Sequence, residues 1–354
     1  MGSPRQIRLG SVPVGGGAPV SVQSMTCTPT ADAGATLVQI KALAAAGCEI
    51  VRVALPVAEA VDAFQKVVAG SPLPVIADVH FDWRLALAAL QAGAAGVRIN
   101  PGTVGSQQKV REVVRAAAER GAIIRIGVNS GSLPRALRER AVREPAEALV
   151  EAALSYTGRF HDWGFHDFKV SVKSSSVAVT IAAYRLLAER CEAPLHVGVS
   201  EAGTRWSGTI KSSVGIGALL AEGIGDTVRV SLTADPVEEV RVAWGILAAL
   251  GLRRRGPELI SCPTCARTEI DIVWLAEEVE RRLLAYHAPI TVAVMGCRVN
   301  GPEEARHADF GIAGGVGEGV LFAAGKRVKT VREELLVGEL FALIDASLDR
   351  PGGV

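Results

Sequence analysis

Cys262 and Cys265 form a C-P-T-C pair, and Cys297 follows in the run M-G-C-R-V-N-G-P-E-E. A C-x-x-C pair places two thiolates within bite of one metal centre, and Cys297 offers a third soft ligand. A fourth is missing: no cysteine lies downstream, while Glu303 and Glu304 stand six and seven residues past Cys297. Three thiolates and a carboxylate hold a metal less firmly than four thiolates, which suits chemistry better than scaffolding. Zinc is the ordinary occupant of a C-x-x-C with a distant third Cys, but a zinc ribbon repeats the pair or ends on His. The next histidine, His307, is ten residues beyond Cys297, outside the usual spacing. Cys262 and Cys265 also immediately precede a predicted helix, whose positive end would favour an anionic thiolate cluster. Spacing alone leaves zinc and an iron–sulfur cluster both open. Cys27, Cys48 and Cys191 are scattered; the last two suit small core or helix-end positions, and Cys27 follows a predicted strand.

A second group of residues is out of place for a core. Arg52, Arg98, Arg125 and Arg229 each sit inside a β-branched run, and Lys169, Ser171 and Lys173 alternate along another. Asp78, His80, Asn100, Asn129, Glu201 and Ser231 fall at or near the ends of such runs. Period two sends Arg98 with Asn100, Arg125 with Asn129, and Arg229 with Ser231 to one face each. A single arginine of this kind is most simply paired with a neighbouring carboxylate. Four arginines and a lysine on five strands outnumber the carboxylates around them, and an isolated buried charge is costly. The missing negative charge then belongs to a ligand, and a small substrate with one or two phosphates matches the guanidinium fork. The stretch TRWSGTIKSSVGIGALLAEG agrees weakly, with small residues and Lys211 opening a helix whose N-terminus can receive an anion. His80 and His196 carry less weight, because a strand histidine is more often a hydrogen-bonded structural group than a catalyst.

These side chains need elements to position them. The apolar runs 20–26, 49–55, 74–80, 96–102, 122–131, 168–175, 194–203 and 227–235 read as strands, separated by Ala- and Leu-rich stretches of helical period. Eight strand–helix units imply a parallel sheet closed as a (β/α)8 TIM barrel, whose ligands bind at the C-terminal mouth. A doubly wound open sheet is the alternative, with fewer strands and a Gly-rich turn after the first. The alternation breaks after LRRRGPELI. Beyond it come one amphipathic helix, the strand ITVAVMG, a Gly-rich stretch, a hairpin VLFAAGKRVKT and a final helix. The division predicted is a substrate-binding barrel over 1–255 and a small α/β domain over 256–354 that carries the three clustered cysteines.

The totals exclude other classes. The 354 residues carry a formal net charge of +1, so a nucleic-acid partner is not expected. No apolar run is long enough to span a membrane and no signal peptide is visible, so neither a membrane location nor export is expected. Six cysteines, only three of them clustered, suit a reducing cytoplasm rather than a disulfide framework.

The segments SCPTCARTEID, MGCRVNGPEEA, VQSMT, ADVHF, VRINPG, GVNSGSL, FKVSVKSS, SEAG and GIGDTVRVSLTADPVEE together resemble the 4-hydroxy-3-methylbut-2-enyl diphosphate synthase family, in its short bacterial form. The likeness covers nearly the whole chain, and its two cysteine motifs are highly specific. It implies a [4Fe-4S] cluster on Cys262, Cys265 and Cys297, with Glu304 as fourth ligand. It implies 2-C-methyl-D-erythritol 2,4-cyclodiphosphate as substrate, with Arg52, Arg98, Arg125, Lys173, Arg229 and Ser231 on the diphosphate. Asp78, Asn100 and Asn129 would orient the ring and the cations, and Glu201 would lie near the reacting hydroxyls. The reaction implied is a two-electron reductive ring opening within the methylerythritol phosphate route to isoprenoids. Electrons would come from ferredoxin or flavodoxin, in a head-to-tail homodimer. Two departures stand out: Glu303 where the family often has Gly, and Cys27 where Asn is usual after VQSMT.

Overall fold

The computed structural model describes residues 2–297 and 305–348, and the chain divides into two compact units at Arg253/Arg254. The first unit opens with an antiparallel hairpin, β1 (Gln6–Leu9) and β2 (Val12–Gly15). Eight parallel strands follow: β3 (Ser21–Met25), β4 (Ile50–Ala54), β5 (Val75–Asp78), β6 (Gly96–Ile99), β7 (Ile123–Asn129), β8 (Phe168–Lys173), β9 (His196–Val197) and β10 (Thr227–Val228). The hydrogen-bonded order runs β8-β7-β6-β5-β4-β3-β10-β9, and a parallel bridge between Val170 and Leu195 joins β8 to β9 and closes the ring. Each of the eight predicted runs contains one of these strands, and the closed sheet settles the choice against an open doubly wound one.

Alternation along the strands builds two layers. Val22, Val51, Val53, Val75, Ala77, Val97, Ile124 and Ile126 face outward and pack on the surrounding helices in one apolar core. The inward face is stratified. At the N-terminal end Ile50, Ile76 and Ile123 pack against Ile7, Leu9 and Val14 of the hairpin, so β1 and β2 plug the floor of the barrel. The hairpin is tied down by Ser3, whose backbone N–H and hydroxyl donate to the two Asp226 carboxylate oxygens at 3.0 and 2.7 Å. Above that apolar floor the interior turns polar toward the C-terminal mouth, as in barrels that bind ligands there.

The second unit is a five-stranded mixed sheet of β11 (Glu258–Ser261), β12 (Thr291–Met295), β13 (Phe310–Gly315), β14 (Glu318–Ala323) and β15 (Lys326–Arg332), paired in that order. β11, β12 and β13 are parallel, while β13–β14–β15 form an antiparallel meander. Helices Ile272–Leu283 and Leu336–Leu348 pack on the sheet through Leu275, Val279, Leu340 and Ile344. The first of these helices begins seven residues after Cys265, behind an N-cap at Asp271 whose carboxylate accepts from Trp274 N at 3.1 Å. The expectation that Cys262 and Cys265 immediately precede a helix is therefore corrected, and its N-terminus is met by a side-chain carboxylate of its own.

Candidate active site

The cations predicted to share one face do converge inside the barrel. Arg52, Arg98, Arg125, Lys169 and Lys173 are buried, and Arg229 at the end of β10 is partly buried. They order themselves around Asp78, the last residue of β5. Arg98 Nη1 lies 3.3 Å from Asp78 Oδ1, and Arg52 Nε lies 3.7 Å from Oδ2. Arg52 is held from the other side by the Met25 thioether, which accepts from Nε and Nη2 at 3.1 and 3.0 Å. Burial alone would raise the Asp78 pKa, but Arg52, the neighbouring His80 and Arg98 outweigh it and hold the carboxyl far below its ordinary range. His80 is half exposed on the loop after β5, with Nε2 2.7 Å from Arg98 Nη1. It therefore belongs to the rim of this cluster.

A second carboxylate comes from outside the strands. Glu239, on the helix Pro236–Ala249, is buried and accepts from Ser24 Oγ at 3.0 Å, Leu232 N at 3.0 Å and Arg229 Nη2 at 3.3 Å. Arg52, Arg98 and Arg229 thus have carboxylate partners, as the simple reading of a strand arginine expects. Arg125, Lys169 and Lys173 have none within ion-pair distance among the described residues. Arg125 donates from Nε and Nη2 to Ser171 Oγ at 3.1 and 2.9 Å, a neutral partner. Burial first, and then the neighbouring guanidinium groups, push the pKa values of Arg125 and Lys173 well below their ordinary values. Arg98 Nε, Arg125 Nη1 and Arg229 Nε are buried N–H groups with no hydrogen-bond acceptor. Unused donors on cations in surplus over carboxylates are what an anion would satisfy.

Two glycines make room for this cluster. A Cβ on Gly127 of β7 would lie 2.6 Å from Arg98 Nε, and one on Gly198 would lie 2.5 Å from Lys173 Nζ and 2.3 Å from the Arg229 carbonyl oxygen. Lys173 ends β8 in register with Asn129 at the end of β7, and Asn100, buried, follows β6 at the same rim. Ser231 is half-buried just beyond β10. Glu201 is exposed on the loop after β9 with φ +52°, a left-handed conformation rare for a residue with a side chain and frequent at functional rims. Sequence reasoning overlooked Glu239, Met25, Gly127 and Gly198. The pairing of Gly127 with Arg98 needs the strand register, which no single run displays.

In the second unit, Cys262 directly follows β11 and Cys297 stands two residues after β12, at the same ends of neighbouring parallel strands. Cys262 Sγ accepts from Gly296 N at 3.2 Å, and Glu269 N donates to the Gly296 carbonyl at 2.9 Å, so the two cysteine segments are laced together. Cys265 is exposed, and the Arg267 backbone and guanidinium pull its thiol below the ordinary range. Glu303 and Glu304 lie outside the described residues. Among the described residues no three His, Cys, Asp or Glu side chains approach closely enough to hold a metal ion. The donor chemistry still fits a cluster: soft thiolates at adjacent strand ends, one of them already accepting a backbone N–H as cluster ligands do.

Comparison with known proteins follows the same division. The model of the GcpE TIM-barrel domain matches residues 4–244, and that of the GcpE protein C-terminal domain matches residues 258–346. A protein of Geobacter sulfurreducens named 4-hydroxy-3-methylbut-2-en-1-yl diphosphate synthase (flavodoxin) is 57% identical, over 97% of this chain and 98% of its own. One of the same name from Clostridium acetobutylicum is 53% identical, over 96% of this chain and 98% of its own. Among solved structures, N-acetylneuraminic acid synthetase from Leptospira borgpetersenii aligns with a TM-score of 0.50 at 15% identity, over 79% of this chain and 97% of its own, a likeness of fold alone.

Proposed function

The chain belongs to the GcpE family, and from that premise we propose that it catalyses the reductive ring opening of 2-C-methyl-D-erythritol 2,4-cyclodiphosphate to 4-hydroxy-3-methylbut-2-enyl diphosphate. Two electrons and the accompanying protons are consumed, the ring C–O bond breaks, and one hydroxyl leaves as water. The observation that supports this most strongly in the chain itself is the surplus of buried cations over carboxylates, with unused guanidinium donors at Arg98, Arg125 and Arg229. A cyclic diphosphate supplies the missing negative charge.

In this reading the barrel, residues 1–255, binds substrate. Arg52, Arg98, Arg125, Lys173, Arg229 and Ser231 hold the diphosphate. Asp78 fixes Arg52 and Arg98 in place, while Asn100 and Asn129 orient the sugar-derived ring. Glu201, at the exposed rim, lies where a departing hydroxyl needs a proton or a polar guide. The remainder, 256–354, carries a [4Fe-4S] cluster on Cys262, Cys265 and Cys297 with Glu304 as fourth ligand, and the cluster when bound supplies electrons one at a time. A carboxylate ligand is apt because a hard oxygen donor exchanges more readily than a thiolate. The electron donor is flavodoxin, as the names of the relatives state for them, in preference to ferredoxin. The enzyme works in the cytoplasm as a head-to-tail homodimer. No helix of the described residues is long and apolar enough to cross a membrane.

Anaerobic purification with metal and sulfide analysis tests the cluster. The reading expects a brown, oxygen-sensitive protein with about four iron and four sulfide per chain. A colourless protein with one zinc, unchanged after anaerobic reconstitution, would contradict it and leave a phosphate-binding barrel with a structural zinc tail.

A further inference from the structure

Beneath the mouth the barrel interior holds a second cluster of buried polar groups. Lys169, His196, Gln23 and Arg125 are each 0–2% exposed and all face inward. Arg125 and Lys169 are register partners on β7 and β8. The Lys169 ammonium donates to Gln23 Oε1 at 3.2 Å, although β9 and β10 separate β8 from β3, so it reaches well into the barrel interior. His196 contributes from β9, its Nδ1 2.5 Å from the Thr227 hydroxyl.

Donors predominate among the unused groups here. Gln23 Nε2, Arg125 Nη1, His196 Nε2 and the neighbouring Ser21 Oγ are buried without partners, and the ammonium has one acceptor for its three N–H bonds. The Gln23 amide cannot be reversed, because its oxygen must face the ammonium. If the Thr227 hydroxyl donates to His196 Nδ1, Nε2 carries the ring proton. Asp226, the nearest carboxylate influence on Lys169, already accepts from Ser3 N, Ser3 Oγ and Leu195 N. A buried water would leave two cations without a counter-charge, whereas a spherical anion accepts from Gln23 Nε2, Arg125 Nη1, the ammonium and, in that tautomer, His196 Nε2, and offsets both charges. The apolar plug of Ile7, Leu9 and Val14 seals the floor below, leaving the mouth as the route of entry.

We propose that this inner cluster is a site for one small monovalent anion of the halide class, held by Lys169, Gln23, Arg125 and His196. It serves as a resident counter-ion beneath the substrate site, and Arg125 is the residue common to both. The site stands whichever ligand the mouth accepts.

The test uses the full-length protein. Thermal unfolding is followed while sodium bromide replaces sodium gluconate at constant ionic strength, and crystals soaked in bromide are examined for anomalous scattering. A saturable rise in Tm is expected, with an anomalous peak among the four side chains that persists when inorganic pyrophosphate is added to fill the mouth. Lys169→Met should abolish the bromide response, and Gln23→Leu should weaken its apparent affinity about tenfold; Gln23→Leu carries the comparison if the lysine variant does not fold. Equal Tm in both salts with no peak would overturn the site, as would displacement of the bromide by pyrophosphate, which would make the ion an occupant of the mouth.

Discussion

Asp78 decides the electrostatics at the level of single residues. It is the strand carboxylate between Arg52 and Arg98, and it is itself buried. Removing one partner of a buried ion pair strands the other charges, at a cost of about 3–5 kcal/mol. Asp78→Asn is therefore expected to lower the unfolding free energy by that order in urea titrations, more than Glu119→Gln at the exposed Arg115–Glu119 pair. The pH dependence follows from the depressed carboxyl. Its contribution is complete above the unfolded value of about 3.9 and is lost as pH falls toward the lower folded value. Urea titrations at pH 6 and pH 3 should show a loss in the native chain that Asp78→Asn lacks; an equal loss in both would remove Asp78 as the source. Glu239 shows where sequence reading stops at this scale. It adjoins Glu238 in the same helix turn, yet Glu238 pairs with Arg205 and Arg241 while Glu239 turns into the buried network. Two adjacent glutamates in DPVEE carry no mark of that difference.

The strands, hairpin and close-packed glycines set the architecture of the site. The β-branched runs were legible because barrel strands are covered on their outer face by helices, which leaves long apolar stretches. β9 and β10 are paired over only two residues each, His196–Val197 and Thr227–Val228, far shorter than their apolar runs. Directly after Val197 comes Gly198, against which Lys173 and the Arg229 carbonyl pack closely. Gly127→Ala is expected to raise KM for the cyclic diphosphate at least about tenfold with a smaller change in kcat, because its methyl would collide with Arg98 Nε. Unchanged KM would mean that Arg98 moves aside without consequence. The N-terminal hairpin was not legible: QIRL and VPVG are four-residue strands whose apolar side chains matter only once Ile50, Ile76 and Ile123 are assembled above them. Deleting residues 1–17 uncovers those isoleucines and releases Asp226, and a drop in Tm of several degrees is expected by calorimetry.

Over the whole molecule, a formal net charge of +1 conceals an unbalanced interior. Buried cations inside the barrel outnumber buried carboxylates, with Arg52, Arg98, Arg125, Lys169 and Lys173 against Asp78, Asp226 and Glu239, while exposed charges meet in balanced pairs such as Arg185–Glu222 and Arg281–Glu278. Composition alone could not reveal this, whereas the placement of arginines within β-branched runs did. On the proposed reading the chain separates two tasks by domain, anion binding in the barrel and soft-metal ligation among the C-terminal cysteines. The proposed fourth ligand is tested by two neighbouring substitutions. Glu304→Gln should reduce iron retention and turnover far more than Glu303→Gln, measured by iron content after anaerobic desalting; equal effects would reject Glu304 as the specific ligand. The most direct measurement of the central claim is single-enzyme turnover chemistry in bulk: the anaerobically reconstituted chain, reduced flavodoxin and 2-C-methyl-D-erythritol 2,4-cyclodiphosphate, with products identified by mass spectrometry. The account predicts 4-hydroxy-3-methylbut-2-enyl diphosphate, formed with two electrons consumed per molecule and abolished by Cys297→Ser. Failure of a fully iron-loaded, folded protein to bind or convert that substrate would contradict it.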